Sequence, residues 1–285
     1  MPFVRSPIMR VRNPSKALPD ADCNKSKAKR QQPSGAPWTL VTGVTDWLNG
    51  GSRRIRSAAQ GQGRCRKRVE NMAKKRIILL GDSIIDNGAY VRPGEPDVAK
   101  QLQALLPEHA VIKRALDGAV CADVLSSQLA NLESTDRIIL SAGGNDALQH
   151  IDLLEAATAT IAKDLLVRLG TIRKEFSRTY ASLLDRLATT RAPVMVLTVY
   201  NPCFDGHGMD ATYQQAAESA VSIFNDVIQQ EAHRRSFNVL ELRTLFTDQA
   251  DYANPIEPSA VGGAKLATSM KAWVKASHAA IAHRD

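Results

Sequence analysis

The sequence predicts an α/β fold in which a parallel sheet is covered by helices on both faces. From Arg76 onward, short runs rich in Val, Ile and Leu alternate with longer stretches of helical periodicity, as in successive βαβ units. The short runs are apolar at nearly every position, which is typical of parallel strands buried on both sides. The chain has 285 residues, 44% of them hydrophobic, and so supplies enough apolar side chains for such a core.

Five strands and five helices are expected in this region. The strands are expected at residues 76–80, 110–116, 137–141, 194–200 and 238–242. The helices are expected at residues 97–106, 121–131, 151–187 with a break near Gly170, 211–235 and 259–282. The fourth helix carries an apolar stripe at three- and four-residue steps, formed by Tyr213, Ala217, Val221, Phe224 and Ile228. Such a stripe indicates a face buried in the core, and we assign it no other role.

The first 71 residues differ from the rest in charge. They carry 15 Lys and Arg against four acidic residues, a net charge of +11, whereas the remainder carries 22 against 25, a net charge of −3. Because the segment is also rich in Gly, Ser, Pro and Gln, residues 1–71 are predicted to be a disordered basic extension. An organelle-targeting peptide, a nucleic-acid-binding arm or an over-extended start before Met72 would have this composition, and we favour the last. The folded domain is then expected at residues 72–285.

The sequence excludes several functional classes. No apolar run reaches the roughly 18 to 20 residues of a membrane-spanning helix. The four cysteines are scattered and form no CxxC pair, which favours a reducing, cytoplasmic location and indicates no cysteine-based metal site. No Walker loop, GxGxxG or HExxH motif occurs. We therefore expect no metal or other cofactor, no membrane span and no nucleic-acid partner, while the sequence gives no indication of the oligomeric state.

Residues with catalytic potential follow three of the predicted strands, at the edge where ligands bind in open α/β sheets. They are Gly81, Asp82 and Ser83 after the first strand, Gly118 after the second and Asn145 after the third. A serine at a tight strand-to-helix turn suits a nucleophile whose reaction creates an oxyanion. The backbone N–H of Gly118 and the carboxamide of Asn145 would add two further donors to the N–H of Ser83. Each residue alone also fits an ordinary role as a helix cap, a turn residue or a loop hydrogen bond.

The order and spacing of these residues resemble the SGNH hydrolase family, also called GDSL-type esterases and lipases. The family's first block is similar to residues 81–87 (GDSIIDN), its Gly block to Gly118 and its Asn block to residues 143–146 (GGND). The resemblance extends from Lys75 to about Ala282. It implies a flavodoxin-like, three-layer α/β/α sandwich with a five-stranded parallel sheet. It also implies ester hydrolysis by Ser83, with an oxyanion hole formed by the N–H groups of Ser83 and Gly118 and the side chain of Asn145.

The fourth block of the family is altered in this sequence. Members carry Asp-x-x-His before the last helix, whereas this chain has Asn254 in place of the Asp and Glu257 in place of the His. A carboxylate with an ordinary pKa, about 4.3, is a weaker base toward a serine hydroxyl than imidazole, although burial raises such a pKa. Three accounts remain open. Glu257 acts as the base, directly or through water; another histidine, such as His207 in a Gly-flanked loop, enters the site; or the domain binds without hydrolysing.

The leading hypothesis is a hydrolase of carboxylic esters, of the esterase, lipase or deacylase type. Its substrate would be a small-molecule ester or acylated compound, cleaved through an acyl-Ser83 intermediate. Glu257 is the preferred base, Asn254 accompanies it as a catalytic candidate, and His207 is the alternative base. The rival hypothesis is a catalytically impaired acyl- or carbohydrate-binding module that uses the same oxyanion pocket.

Overall fold

Five parallel strands form the central sheet, in the order β2-β1-β3-β4-β5. The structure is a computed structural model that describes residues 74–155, 162–205, 208 and 210–282. The strands are β1 Arg76–Gly81, β2 Ala110–Lys113, β3 Arg137–Ser141, β4 Val194–Leu197 and β5 Asn238–Leu240. The predicted fold class is thereby confirmed. The predicted extension at residues 1–71 lies outside the described residues.

Helices connect the strands and cover the sheet. They are α1 Val98–Leu105, α2 Cys121–Asp123, α3 Gly144–Leu148, α4 Asp152–Glu155, α5 Ala162–Ala188, α6 Ala211–Arg234 and α7 Ala260–Ala282. Aspartates cap two of these helices: Asp97 Oδ1 accepts the Lys100 N–H at 2.8 Å, and Asp210 Oδ1 accepts the Tyr213 N–H at 2.8 Å. Such caps satisfy backbone donors that have no partner in the first helical turn. Among the described residues, no helix is both long and apolar enough to cross a membrane.

Alternate residues of the strands point into two separate hydrophobic layers. One layer packs against α5 and α6 and includes the buried strand residues Ile78, Leu80, Ile138, Leu140, Val194 and Val196. The other packs against α1 and α7 and includes Ile77, Leu79, Ile139, Met195 and Leu197. Because successive strand residues face opposite sides of a sheet, a continuous apolar run supplies both layers.

The strand order places a topological switch point at the centre of the sheet. The chain leaves β1 for β2 on one side and then crosses to β3 on the other side of β1. The last residues of β1 and β3 are in register, with Gly81 beside Ser141. Ligands of open α/β sheets bind at such a point, outside the carboxyl ends of the strands. The segments after β1, β2 and β3 are therefore brought together at one edge.

The predicted helix at residues 121–131 is wrong in type and length. The chain forms only one α-helical turn, α2, which continues as a π-helix over Val124–Gln128. Gln128, at the end of the π-helix, is buried and exchanges two hydrogen bonds with Gly81 of β1. Single π turns are frequent at functional sites. The side-chain periodicity used for the prediction contains no information about this contact with a distant strand.

The predicted break near Gly170 is also wrong, because α5 continues through this glycine to Ala188. A glycine inside a helix costs only about 1 kcal/mol relative to alanine, and the helix buries apolar side chains on the turns that follow. These are Ile172, Phe176, Tyr180, Leu183, Leu184 and Leu187. Their burial outweighs the cost of the glycine.

Two further strands escaped the sequence analysis. They are β6 Tyr252–Asn254 and β7 Glu257–Pro258, which pair antiparallel directly before α7. Both strands are too short for an alternating pattern to be recognised in the sequence. The small hairpin carries both Asn254 and Glu257.

Candidate active site

The turn after β1 is built around a glycine that no other residue could replace without rearrangement. Gly81 has a φ of +125°, and a Cβ atom at this position would overlap the carbonyl oxygen of Ser141 on β3. The Gln128 side chain accepts the Gly81 N–H at 2.7 Å and donates to the Gly81 carbonyl at 2.9 Å. These contacts fix the direction in which the chain leaves the strand.

Ser83 lies at the start of this turn, and 7% of its surface is exposed. The Asp82 carbonyl oxygen accepts the N–H groups of Ile85 at 3.1 Å and Asp86 at 2.9 Å, and Asp82 Oδ1 accepts the N–H of Ile84 at 3.2 Å. Within the described part of the chain, the N–H of Ser83 itself has no acceptor. It is therefore available to a ligand at the sheet edge.

Gly118 lies in the turn after β2 and has a φ of +78°. The residues around Gly118 form backbone hydrogen bonds. The Leu116 N–H donates to the Gly81 carbonyl at 3.0 Å, and the Ala119 N–H donates to the Leu116 carbonyl at 3.1 Å. No described group accepts the N–H of Gly118. Since Gly118 is exposed, this second donor faces solvent rather than the core.

Asn145 follows β3 in the first turn of α3. The chain reaches it through Gly143, whose φ is +121° and where a Cβ atom would lie 3.1 Å from the side chains of both Phe176 and Ile228. Asn145 Nδ2 donates to the carbonyl oxygen of Ala119 at 3.0 Å. This bond uses one of the two N–H bonds of the carboxamide and leaves the other for a ligand. It also joins Asn145 to the residue after Gly118.

Glu257 is the residue that the hairpin brings to Ser83. Only 7% of the surface of Glu257 is exposed, and its Oε2 is buried without a hydrogen-bond partner among the described residues. Ser83 and Glu257 line the same cleft. Burial raises the pKa of Glu257 to about 8, and the negative charges of Asp117 and Asp82 act in the same direction. The Ser83 side chain lowers this pKa, but its effect is smaller than that of burial.

Asn254 shapes the turn that presents Glu257. Its Oδ1 accepts the N–H groups of Ile256 and Glu257, both at 3.0 Å. The described contacts of Asn254 are therefore to backbone and not to the Glu257 carboxyl group. A side-chain carbonyl that accepts from the residues two and three positions later stabilises a tight turn.

The whole chain segment that carries these groups matches one family model. The match is to the GDSL-like lipase/acylhydrolase family and covers residues 79–264, nearly two thirds of the chain. This chain belongs to the GDSL-like lipase/acylhydrolase family. No curated protein sequence matches it significantly.

Two solved structures show the same fold as this GDSL-like chain. Phospholipase A1 from Streptomyces albidoflavus NA297 is 18% identical, with a TM-score of 0.52 over 70% of this chain and 100% of that one. The lipase Lip_vut3 from a goat rumen metagenome is 20% identical, with a TM-score of 0.54 over 70% of this chain and 96% of that one. At sequence identities this low, the similarity shows a shared fold and not a shared function.

Two buried carboxyl groups beside the candidate site, those of Asp82 and Asp146, were given no role of their own in the sequence analysis. Asp82 accepts a hydrogen bond from Ser141 Oγ at 2.8 Å, and burial raises its pKa to about 7. Asp146 accepts the Cys121 N–H at 3.1 Å, and burial raises its pKa as well. Their place directly beside Ser83 and Asn145 in the sequence was the available signal. Their burial depends on the packing of α2 and β3, which the sequence does not display.

An apolar cleft of about 390 Å³ opens beside Ser83, Asn145 and Glu257. Most of its wall comes from α5, α6 and the segments after β3 and β4. The apolar lining includes Leu148, Ile151, Leu165, Leu169, Ile172, Val199, Tyr200, Phe204, Tyr213, Ala217, Val221, Phe224 and Ile256. The apolar stripe of α6 is therefore not purely core, because four of its five residues line the cleft while Ile228 is fully buried.

Among the described residues, no histidine forms a hydrogen bond with Ser83. His150 lines the cleft, whereas the alternative base His207 lies outside the described residues. The described residues also form no group of His, Cys, Asp and Glu able to hold a metal ion. Three of the predicted site residues, Ser83, Asn145 and Glu257, thus line one cleft. Gly118 lies in the turn after β2, and Asn254 lies in the hairpin that carries Glu257.

Proposed function

We propose that this chain hydrolyses carboxylic esters with Ser83 as the nucleophile and Glu257 as the general base. The observation that carries the proposal is that Ser83 and the buried Glu257 line the same cleft, where the Ser83 side chain is close enough to lower the pKa of the Glu257 carboxyl group. A nucleophile next to a base is the usual arrangement for covalent catalysis by serine. Membership in the GDSL-like family supports hydrolysis of an ester bond, and the comparisons give no support to the alternative of a binding module without activity.

The first half of the reaction forms an acyl-enzyme. Ionised Glu257 takes the proton of the Ser83 hydroxyl while Oγ forms a bond to the ester carbonyl carbon. The carbonyl π electrons move to oxygen, and the oxyanion is held by the N–H groups of Ser83 and Gly118 and by Asn145 Nδ2. The C–O bond to the alcohol then breaks, and protonated Glu257 gives its proton to the leaving oxygen.

The second half repeats these steps with water. Glu257, ionised again, takes a proton from a water molecule whose oxygen attacks the acyl carbon. The tetrahedral intermediate uses the same donors, and Ser83 leaves as its alkoxide and regains a proton from Glu257. The products of this half are a carboxylic acid and free enzyme, so these reaction steps need no cofactor.

The environment of Glu257 corrects the main weakness of a carboxylate base. With a pKa of about 8, the group holds a proton more strongly than a solvated glutamate and is a better acceptor for the Ser83 proton. It is also closer to operating pH, where base and acid forms are both accessible during one turnover. Asn254 contributes by holding the turn that points Glu257 at Ser83.

The cleft suggests which part of the substrate is bound. Its lining comes from the β3, β4, α5 and α6 side of Ser83 and is mostly aliphatic and aromatic. We therefore propose that it holds an apolar acyl group, while the alcohol leaves past Glu257. An Ala217→Trp variant, which fills the cleft, should reduce hydrolysis of octanoyl esters far more than hydrolysis of acetyl esters. Equal losses on both esters would contradict the assignment.

The sharpest test of the nucleophile is labelling with a fluorophosphonate, which modifies an activated serine whatever the natural substrate. The wild type should label on the peptide that contains Ser83, and Ser83→Ala should not label. Ser126→Ala, at a serine whose hydroxyl donates to the Asp123 carbonyl of its own helix, is the matched control and should label as the wild type does. Absence of Ser83 labelling together with absence of ester hydrolysis would overturn the proposal.

We also propose that the protein acts in the cytoplasm on a small molecule. The free thiols of Cys121 and Cys203 support a reducing location. Fractionation of cells that produce the native protein would test this placement, and recovery from the medium would contradict it.

A further inference from the structure

Asp86 connects the two turns that carry the backbone donors of the oxyanion hole. It lies three residues after Ser83, in the turn that follows β1. Asp86 Oδ2 accepts the backbone N–H of Asp117 at 3.1 Å. Asp117 immediately precedes Gly118, so one side chain on the Ser83 turn holds the peptide next to the second donor.

Both ends of this connection are themselves held in place. The Asp86 carboxylate forms an ion pair with Lys113, the last residue of β2, and Lys113 Nζ lies 3.6 Å from Asp97 Oδ2. The Asp117 carboxylate accepts the hydroxyl of Tyr90 at 2.8 Å. A side chain fixed by several partners keeps a narrow range of positions.

The remaining contacts of the second turn leave one N–H for a ligand. In the segment from Leu116 to Ala119, the first, second and fourth N–H groups donate to Gly81, Asp86 and Leu116 respectively. Only the N–H of Gly118 has no acceptor among the described residues. The segment is thus anchored on both sides of the one free donor.

We infer that Asp86 is a positioning residue of the oxyanion hole, which fixes the Gly118 N–H relative to the Ser83 N–H. The inference rests on the proposed function. A donor stabilises an oxyanion only within about 2.7 to 3.1 Å of it. Because a displacement of about 1 Å in a catalytic group can cost about 10²-fold in rate, a side chain that sets this spacing affects turnover without touching the substrate.

The test compares variants of Asp86 in the full chain with a chromogenic butyrate ester. Asp86→Ala removes the acceptor, and kcat should fall about 10- to 10²-fold while KM changes less than about twofold. Asp86→Asn keeps an oxygen that accepts the Asp117 N–H and should recover most of the lost rate. Asp226→Ala removes a different exposed ion pair, with Arg173 at 2.6 Å, and should behave as the wild type does.

A second measurement separates positioning from a loss of fold. A trifluoromethyl ketone forms a tetrahedral adduct with Ser83, whereas the product acid does not. Asp86→Ala should weaken inhibition by the ketone by the same factor as kcat/KM, and it should leave inhibition by the product acid unchanged.

The outcomes distinguish the two proposals. If the wild type hydrolyses the ester and Asp86→Ala keeps its kcat, Asp86 has no positioning role. If Asp86→Ala weakens inhibition by the ketone and inhibition by the product acid equally, the effect of the substitution is structural and the inference is overturned. If the wild type neither hydrolyses esters nor labels at Ser83, the proposed function fails, and the role of Asp86 fails with it.

Discussion

Asn87 Nδ2 donates to the carbonyl oxygen of Pro258 at 3.2 Å. The bond joins the turn that carries Ser83 to the residue after Glu257, across 171 positions of sequence. Asn87 is completely buried, and its Oδ1 also accepts the N–H of Val98 at the start of α1. Two more bonds hold the hairpin from the β4 side: Tyr200 Oη reaches the Ile256 carbonyl at 2.7 Å, and the Cys203 N–H reaches the Pro255 carbonyl at 2.8 Å. The hairpin that carries Glu257 is thus held from both sides of the sheet edge.

The identity of the base can be tested by replacing its carboxylate. Glu257→Gln should abolish ester hydrolysis, because the amide has nearly the same shape but cannot take the Ser83 proton. His207→Ala should change the rate little. Steady-state kinetics on an activated ester measures both. Loss of activity in His207→Ala with activity retained in Glu257→Gln would show that the base belongs to the loop after β4 and not to the hairpin.

The pH dependence of kcat/KM should follow the ionisation of Glu257. Because a base acts in its ionised form, kcat/KM should rise with pH through an apparent pKa of about 8. Asp117 raises this pKa, so Asp117→Asn should shift the profile to lower pH. Asp164→Asn, at an exposed position in the first turn of α5, is the control and should leave the profile in place. A rise centred near pH 4 in the wild type would contradict the assignment.

The free energy of unfolding should fall as the pH rises from about 4 to 8. The pKa of Asp82 is raised to about 7 and that of Glu257 to about 8, so the folded protein keeps two protons that the unfolded chain has released up to about pH 7, and one of them up to about pH 8. Each such proton makes stability fall by about 1.4 kcal/mol per pH unit. Urea denaturation measures the slope, which Asp82→Asn and Glu257→Gln should each reduce. An unchanged slope in both variants would show that neither pKa is raised.

Two glycine variants should have opposite effects on stability. In Gly81→Ala the new methyl group would overlap the Ser141 carbonyl oxygen at a positive φ, so the variant should lose several kcal/mol of stability or fail to fold. In Gly170→Ala the methyl group meets no atom within 4 Å, and the variant should gain about 0.5 to 1 kcal/mol from helix propensity. Thermal unfolding measures both changes. A tolerated Gly81→Ala would show that the turn after β1 is not constrained by β3.

The residues of the candidate site could be selected from the sequence because strand ends converge in a parallel α/β sheet. Ser83, Gly118 and Asn145 were selected because each follows a buried strand, and the strand order places all three strands side by side. Glu257 was selected from its place in a family-like segment before the last helix. Local sequence therefore selected the candidate groups and predicted the edge of the sheet at which they lie.

The tertiary structure decided how these candidate groups are arranged and buried. The burial that raises the pKa of Glu257 comes from a hairpin too short to be recognised in sequence, and the apolar cleft comes from α5 and α6, which approach from distant parts of the chain. Periodicity shows that a helix face is apolar, but it does not show whether that face meets the core or a cavity. Short-range patterns predicted the central sheet, its long covering helices and the candidate residues. Desolvation and shape depend on contacts between distant segments, and so the pKa of Glu257 and the form of the cleft were decided only on folding.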